Sequence, residues 1–342
     1  MRTPVSHTTQ RLSPISQEAR DDAARHGGDQ DAHQRFLQEW PCLGEVECSQ
    51  APEPATLGPS LTVAAWNLER CKRVEDSAKR LVQAGADIVL ATEMDWGMAR
   101  SGQRHTTRDL AQLLGMGYVY GVEFVELGTG NAFETSCFEG VPNEQGFHGN
   151  AILSRFELLN PRMIPLDEGG LWFDDIQKDG QYRVGGRMAI AAQVAGPQGP
   201  ITLASAHYES RSDAALRHAQ TQRLLGALDA AYGDGPAIIG GDLNTNGFVA
   251  EGYSGRDIIA HPERVEPSFT AFRKAGFSWT QTNTGEMTTR AAPGLPVRYP
   301  LHILDWVLTR KLAASDPFVR AAVSERGEYL SDHELIGARI AF

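Results

Sequence analysis

Six clusters of polar residues stand at the ends of apolar stretches in this 342-residue chain. They are WNLE (Trp66–Glu69), ATEMD (Ala91–Asp95), HGNAILSR (His148–Arg155), SAHYES (Ser205–Ser210), GGDLNTN (Gly240–Asn246), and the late pair LDW (Leu304–Trp306) and SDHE (Ser331–Glu334). Carboxylates, amides and imidazoles in these numbers suit hydrolysis of a phosphate ester. That reaction needs a cation to neutralise oxygen charge, a base to sharpen water, and donors for the pentacoordinate transition state. Glu93 is a hard oxygen donor suited to Mg²⁺, with Asn67 and Asp332 placed to complete or support the shell. His333 titrates near neutrality and is the natural general base. Asp305 would fix its tautomer and stabilise the imidazolium. His207 would donate to a non-bridging oxygen or protonate the leaving group. Asp242 and Asn244 share one face of an extended D-x-N, so both can point at the attacked phosphorus.

Each residue also has an ordinary reading. Glu93 can be a surface carboxylate, Asn67 a partner for a backbone group, and His207 a hydrogen-bonded core histidine. Asp242 and Asn244 can make an Asx turn, and Asp332 can cap a turn. His148 is a candidate substrate contact or a solvated loop residue. Arg187 either meets an anionic group or lies on the surface at a strand start. Arg100, Arg104, His105 and Arg108 read as the N-terminal region of a helix rather than a basic patch. Other site types find no footing: H-E-x-x-H and G-x-S-x-G are both absent.

The elements that must carry these residues follow from periodicity. Buried strands are expected at Leu61–Leu68, Ala86–Glu93, Tyr118–Val125, Ala151–Ser154, Arg187–Val194, Ile201–Ala206, Ala237–Gly241, Ile303–Thr309 and Leu335–Ile340. Helices are expected at Val74–Gly85, Thr107–Leu114, Ser212–Tyr232 and Ser268–Ala275. Two polar, glycine-rich loops, Gly128–Phe147 and Asp167–Gly186, lie between them. Strand–helix alternation followed by hairpin-like pairs points to an α+β, four-layer αββα sandwich of two mixed sheets. Residues 1–60 hold six of the 18 prolines and read as a largely irregular extension before a catalytic domain at 61–342, with one short amphipathic piece around Phe36, Leu37 and Trp40, either packed on the main domain or mobile. A chain beginning near Thr56 is therefore expected to fold and to retain metal-dependent activity.

Those residues in that order resemble the endonuclease/exonuclease/phosphatase superfamily, whose members share the DNase I fold. The resemblance runs from about Ser60 to Phe342. It implies that Asn67, Glu93, His207, Asp242 with Asn244, Asp305, and Asp332 with His333 converge on one divalent-metal site. It also implies a place near that site for Asn150, from a G-N-A-I segment. Mg²⁺ is the expected ion, with Mn²⁺ or Ca²⁺ as alternatives. One departure is His302, standing where relatives often carry a basic residue shortly before the LD[WY] aspartate.

Composition bears on the substrate. The balance of 32 Lys and Arg against 43 Asp and Glu leaves a net charge of −11, unfavourable for coating duplex DNA through its phosphates. Expected partners are therefore a phosphorylated small molecule or a lipid headgroup first, and nucleic acid second. A non-catalytic binding module is the rival from another class, disfavoured because both histidines and the acidic residues are present. The four cysteines make no dense framework, and Cys42 and Cys48 read as free thiols rather than a bridge. No apolar leader or membrane-length run occurs, so a soluble cytoplasmic protein is the expectation.

Overall fold

The computed structural model describes residues 2–167, 169–174, 180–291 and 301–342. Parts of the second polar loop, 168 and 175–179, lie outside the described residues. Two sheets form the centre. The first has nine strands, with β1 (Thr8–Thr9), β2 (Val46–Ser49), β5 (Gly117–Glu126), β6 (Phe147–Ser154), β4 (Ile88–Trp96), β3 (Ser60–Arg70), β15 (Leu335–Ala341) and β14 (Ala313–Arg320) in spatial order. Its ninth strand, β8 (Arg183–Gly185), pairs with β5. The second sheet has six strands in the order β12 (Phe277–Ser278), β13 (Asp305–Arg310), β11 (Ala237–Asp242), β10 (Gly199–His207), β9 (Met188–Gly196) and β7 (Leu159–Pro165). β3–β4 and β10–β11 are parallel pairs among antiparallel ones, so both sheets are mixed.

Side-chain alternation builds the layers. Val63, Ala65, Ile88 and Leu90 point inward and meet Ile190, Leu203, Ile238 and Val307 of the other sheet. Their neighbours Ala64, Trp66, Val89 and Ala91 face outward, against α3 (Val74–Gln83) and α4 (Thr106–Leu114). Behind the second sheet, Ala204, Ala206, Ile239 and Leu308 pack on α6 (Ala214–Tyr232), α8 (Gly255–Ala260) and α9 (Ser268–Lys274). Two short helices, α5 (Ala132–Cys137) and α7 (Gly247–Ala250), lie in connections near the strand ends. The expected αββα sandwich is the one observed.

The N-terminal segment differs from the expectation. Instead of an irregular extension it forms α1 (Gln17–Arg25) and α2 (Gln30–Glu39), besides β1 and β2. Ser16 and Asp29 cap the helices by accepting backbone N–H bonds. Phe36, Trp40, Cys42 and Leu43 join the same outer core as Trp66 and Tyr120. Leu12, Ile15, Ala23 and Ala32 join it too, so a few apolar side chains spread over a polar segment suffice, and that is why composition misled. Cys42 and Cys48 are free thiols.

Candidate active site

Backbone conformation aims the central side chains. β4 loses register with both neighbours between Ala91 and Met94, and inside this bulge Glu93 adopts φ 57°. A left-handed glutamate is costly and is held only where the surroundings determine it. Asn244, after β11, is left-handed as well, at φ 49°. The two glycines before Asp242 have separate reasons. A Cβ on Gly240 would sit 2.7 Å from Leu90 Cδ1, so the sheets approach closely there. Gly241 has φ +132°, and its Cβ would strike the carbonyl of Ala206.

Asp242 is the hub. His207 Nε2 and His333 Nε2 each lie 3.7 Å from Asp242 Oδ2. That oxygen also accepts from Asn67 Nδ2 at 3.1 Å, and the same amide donates to Glu93 Oε1 at 3.2 Å. Each imidazole is backed by a carboxylate: His333 Nδ1 is 2.7 Å from Asp305 Oδ2, and His207 Nδ1 is 3.1 Å from Glu123 Oε2. Burial disfavours a charged His333, yet Asp305 and Asp242 together hold its pKa well above the usual imidazole value. Burial likewise opposes ionised Glu93, while Arg70 and the three nearby histidines keep its carboxyl well below the usual range. Glu123 is held at about 2, with burial again opposed by His207 and Arg187. The site therefore pairs fixed anions with imidazoles.

The remaining residues expected from the sequence take different places. Asn244 orders the loop, accepting nothing from Asp242 but donating its own N–H to Asp242 Oδ1 at 2.9 Å and Nδ2 to the Tyr208 carbonyl. Asp332 is exposed beside His333, and its carbonyl accepts from Arg290 N–H. Asn150 is fully buried and donates to Glu123 Oε2 at 2.8 Å, so it orients the carboxylate behind His207. Arg187 is not a surface residue: it ion-pairs with Glu123 and Glu209 and contacts His207 Nδ1 at 2.9 Å. His148 is taken up by Asp95 at 2.8 Å in a buried network with Arg100.

Glu123, Glu209, Glu134 and Arg70 belong to the site but were not singled out from the sequence. Glu123 sits within an apolar strand, GYVYGVEFVE, where a buried carboxylate is the only signal. The donor set suits a hard divalent cation. Glu93 and Asp242 bring carboxylate oxygens together on either side of the Asn67 amide nitrogen, and Asp242, Asp305 and His333 each place a ligand atom within 4.8 Å of the others. Asp305 Oδ1 is buried and has no hydrogen-bond partner among the described residues.

The family model for the endonuclease/exonuclease/phosphatase family matches residues 64–333. The chain belongs to that family. Solved structures of the same fold include an endonuclease/exonuclease/phosphatase from Beutenbergia cavernae, 17% identical over 83% of this chain and 72% of that one, TM-score 0.54. TDP2 from D. rerio, complexed with a single-strand DNA product, is 15% identical over 83% of this chain and all of that one, TM-score 0.52. The human Nocturnin catalytic domain with bound sulfate is 18% identical over 87% and 97% of the two chains, TM-score 0.52. No curated protein matches the sequence. Members of this family are generally hydrolases of phosphoester bonds that use divalent metals. Among the described residues, no helix is long and apolar enough to cross a membrane.

Proposed function

We propose that the chain is a Mg²⁺-dependent phosphodiesterase acting on a small phosphorylated molecule or a lipid headgroup. The observation that supports this most is the convergence of two carboxylate-backed imidazoles, Asp305–His333 and Glu123–His207, on Asp242 beside Glu93 and Asn67. A bound metal would supply Lewis-acid stabilisation of the phosphoryl oxygens. Glu93 and Asn67 would hold it, with Asp242 and the exposed Asp332 in support. His333 takes the proton of the attacking water at Nε2, and Asp305 stabilises the imidazolium that results. His207, oriented by Glu123, donates from Nε2 to a phosphate oxygen or to the leaving group. Asp242 faces the phosphorus, held in place by the Asn244 backbone N–H on its Oδ1.

The net charge of −11 supports the small substrate over duplex DNA, which demands several Lys or Arg contacts to phosphate. Single-stranded nucleic acid is the second reading, favoured by the likeness to TDP2 in its DNA complex. A hydrolysis screen with Mg²⁺ across nucleotides, phospholipid headgroups, single strands and supercoiled plasmid separates the two, with His333→Ala as the contamination control. Rapid nicking of plasmid by the wild type alone would promote the nuclease reading.

A further inference from the structure

One cation sits on the candidate metal carboxylate. Arg70 follows Asn67 in a run of three left-handed residues, Glu69, Arg70 and Cys71, at φ 44°, 72° and 51°. Such a run in non-glycine residues persists only where the surroundings enforce it. The turn brings Arg70 Nη1 to 3.0 Å from Glu93 Oε2, and Nε to 3.2 Å from Glu134 Oε1. Glu134 is fixed in turn: its Oε2 accepts from Asn131 N–H at 2.9 Å in the capping box that opens α5. The side chains of Arg70 and Glu93 are only 17% and 19% exposed, so solvent screens the pair weakly. Glu93 is thus divided between two partners, Oε2 toward Arg70 and Oε1 toward Asn67.

We propose that Arg70 competes with the metal for Glu93, a resident cation that keeps divalent affinity low until a phosphate anion arrives. The inference deepens the metal reading given above and rests on it. A divalent ion bound at Glu93 lies a short distance from a guanidinium anchored by Glu134, and their repulsion in a poorly solvated site weakens binding. An incoming phosphate brings negative charge that offsets both cations, so anion and metal binding favour each other reciprocally. The opposite possibility is that Arg70 merely orients Glu93, as partners of ligands commonly do, in which case removing it weakens the metal. The two roles predict opposite signs.

Calorimetric titration of Mg²⁺ into the full-length, metal-free protein, with and without inorganic phosphate, reads the sign directly. Arg70→Met is expected to bind Mg²⁺ about tenfold more tightly than the wild type, with phosphate adding little, a coupling of ordinary allosteric size. Arg70→Lys keeps the charge and should behave like the wild type. Arg70→Gln is a second neutral variant, and circular dichroism checks that each is folded. Weaker or unchanged affinity in both neutral variants overturns the proposal, as does identical behaviour of Arg70→Lys and Arg70→Met. Glu93→Gln separates the layers: if it binds Mg²⁺ as the wild type does, the metal reading itself fails, and the proposal with it.

Discussion

At the scale of single residues, half-buried Glu93 and buried Asp305 are carboxylates that differ in what they face. Glu93 meets Asn67 and Arg70, while Asp305 meets the imidazole of His333. Charge, rather than shape, is what each contributes, so isosteric amides isolate it. Glu93→Gln is expected to leave the fold intact and to remove Mg²⁺ binding and turnover together; an unaltered calorimetric affinity would sink the assignment. Asp305→Asn is expected to lower kcat by roughly 10²–10⁴-fold, the usual scale for disabling a general base. A rate within a factor of two of wild type would make Asp305 structural. The raised pKa of His333 adds a pH signature: the base works only when neutral, so the rate should climb with pH through a value above the ordinary imidazole range, and Asp305→Asn should move that limb downward.

The secondary-structure elements matter through their ends. β3, β4, β10, β11 and β13 terminate or bulge where Asn67, Glu93, His207, Asp242 and Asp305 stand, so one end of the sandwich collects residues from both sheets. Register makes the meeting specific, because His207 lies opposite Asp242, and Asp242 opposite Asp305. The approach of the sheets at Gly240 keeps the Glu93 side within reach of the Asp242 side. A methyl there would press on Leu90 Cδ1 at 2.7 Å and Ala65 Cβ at 3.2 Å. Gly240→Ala is expected to cost about 1–3 kcal/mol, as overpacking of a tight core does. Urea unfolding measures it, and a midpoint equal to the wild type would show that the sheets yield without cost.

Across the whole molecule, the N-terminal segment holds the loops around the site. Arg20, 2% exposed, donates to the carbonyls of Ile15, Asn143, Glu144 and Gln145 and thereby ties α1 to the loop that carries Glu134. His33 Nε2 accepts from Gly185 N–H, and Phe36 packs on Phe173. A chain starting near Thr56 would lose two helices, two strands and part of the outer core. The truncation is now expected to be insoluble or inactive, reversing the expectation from composition; soluble, fully active protein would refute that.

His33 gives the same contact a pH dependence. Burial, reinforced by Arg2, pulls its pKa down to about 4. Between that value and the unfolded value near 6.5, the unfolded chain binds the extra proton, so stability present at neutral pH is lost as pH falls through this window. At pH 5 the loss is about 2 kcal/mol. His33→Gln should flatten the melting temperature between pH 7 and pH 5 relative to wild type, and an equal slope in both would remove His33 as the cause.

What the sequence determined by itself were the elements with regular periodicity and the polar residues at their ends. Apolar runs such as LTVAAWNL and AIIGG are strands wherever they sit, and Asn67, Glu93, His207, Asp242, Asp305 and His333 could be named as candidates from their types at strand ends together with the family resemblance of their order. Local pattern carried no information on groups whose role is to face another element. Glu123 looks like a stray charge in an apolar strand until β6 and β10 bring Asn150 and His207 against it. Arg70 looks like a loop cation until a left-handed turn lays it on Glu93. His148 and Arg187, read as substrate contacts, are consumed by buried carboxylates that no spacing rule could supply. The N-terminal 60 residues follow the same logic: their polar helices are stable only because the sheet and loops they cover bury Phe36 and Trp40. Periodicity is a property of neighbours along the chain, whereas charge pairing and shared burial are properties of neighbours in space, and only the tertiary structure brings those together.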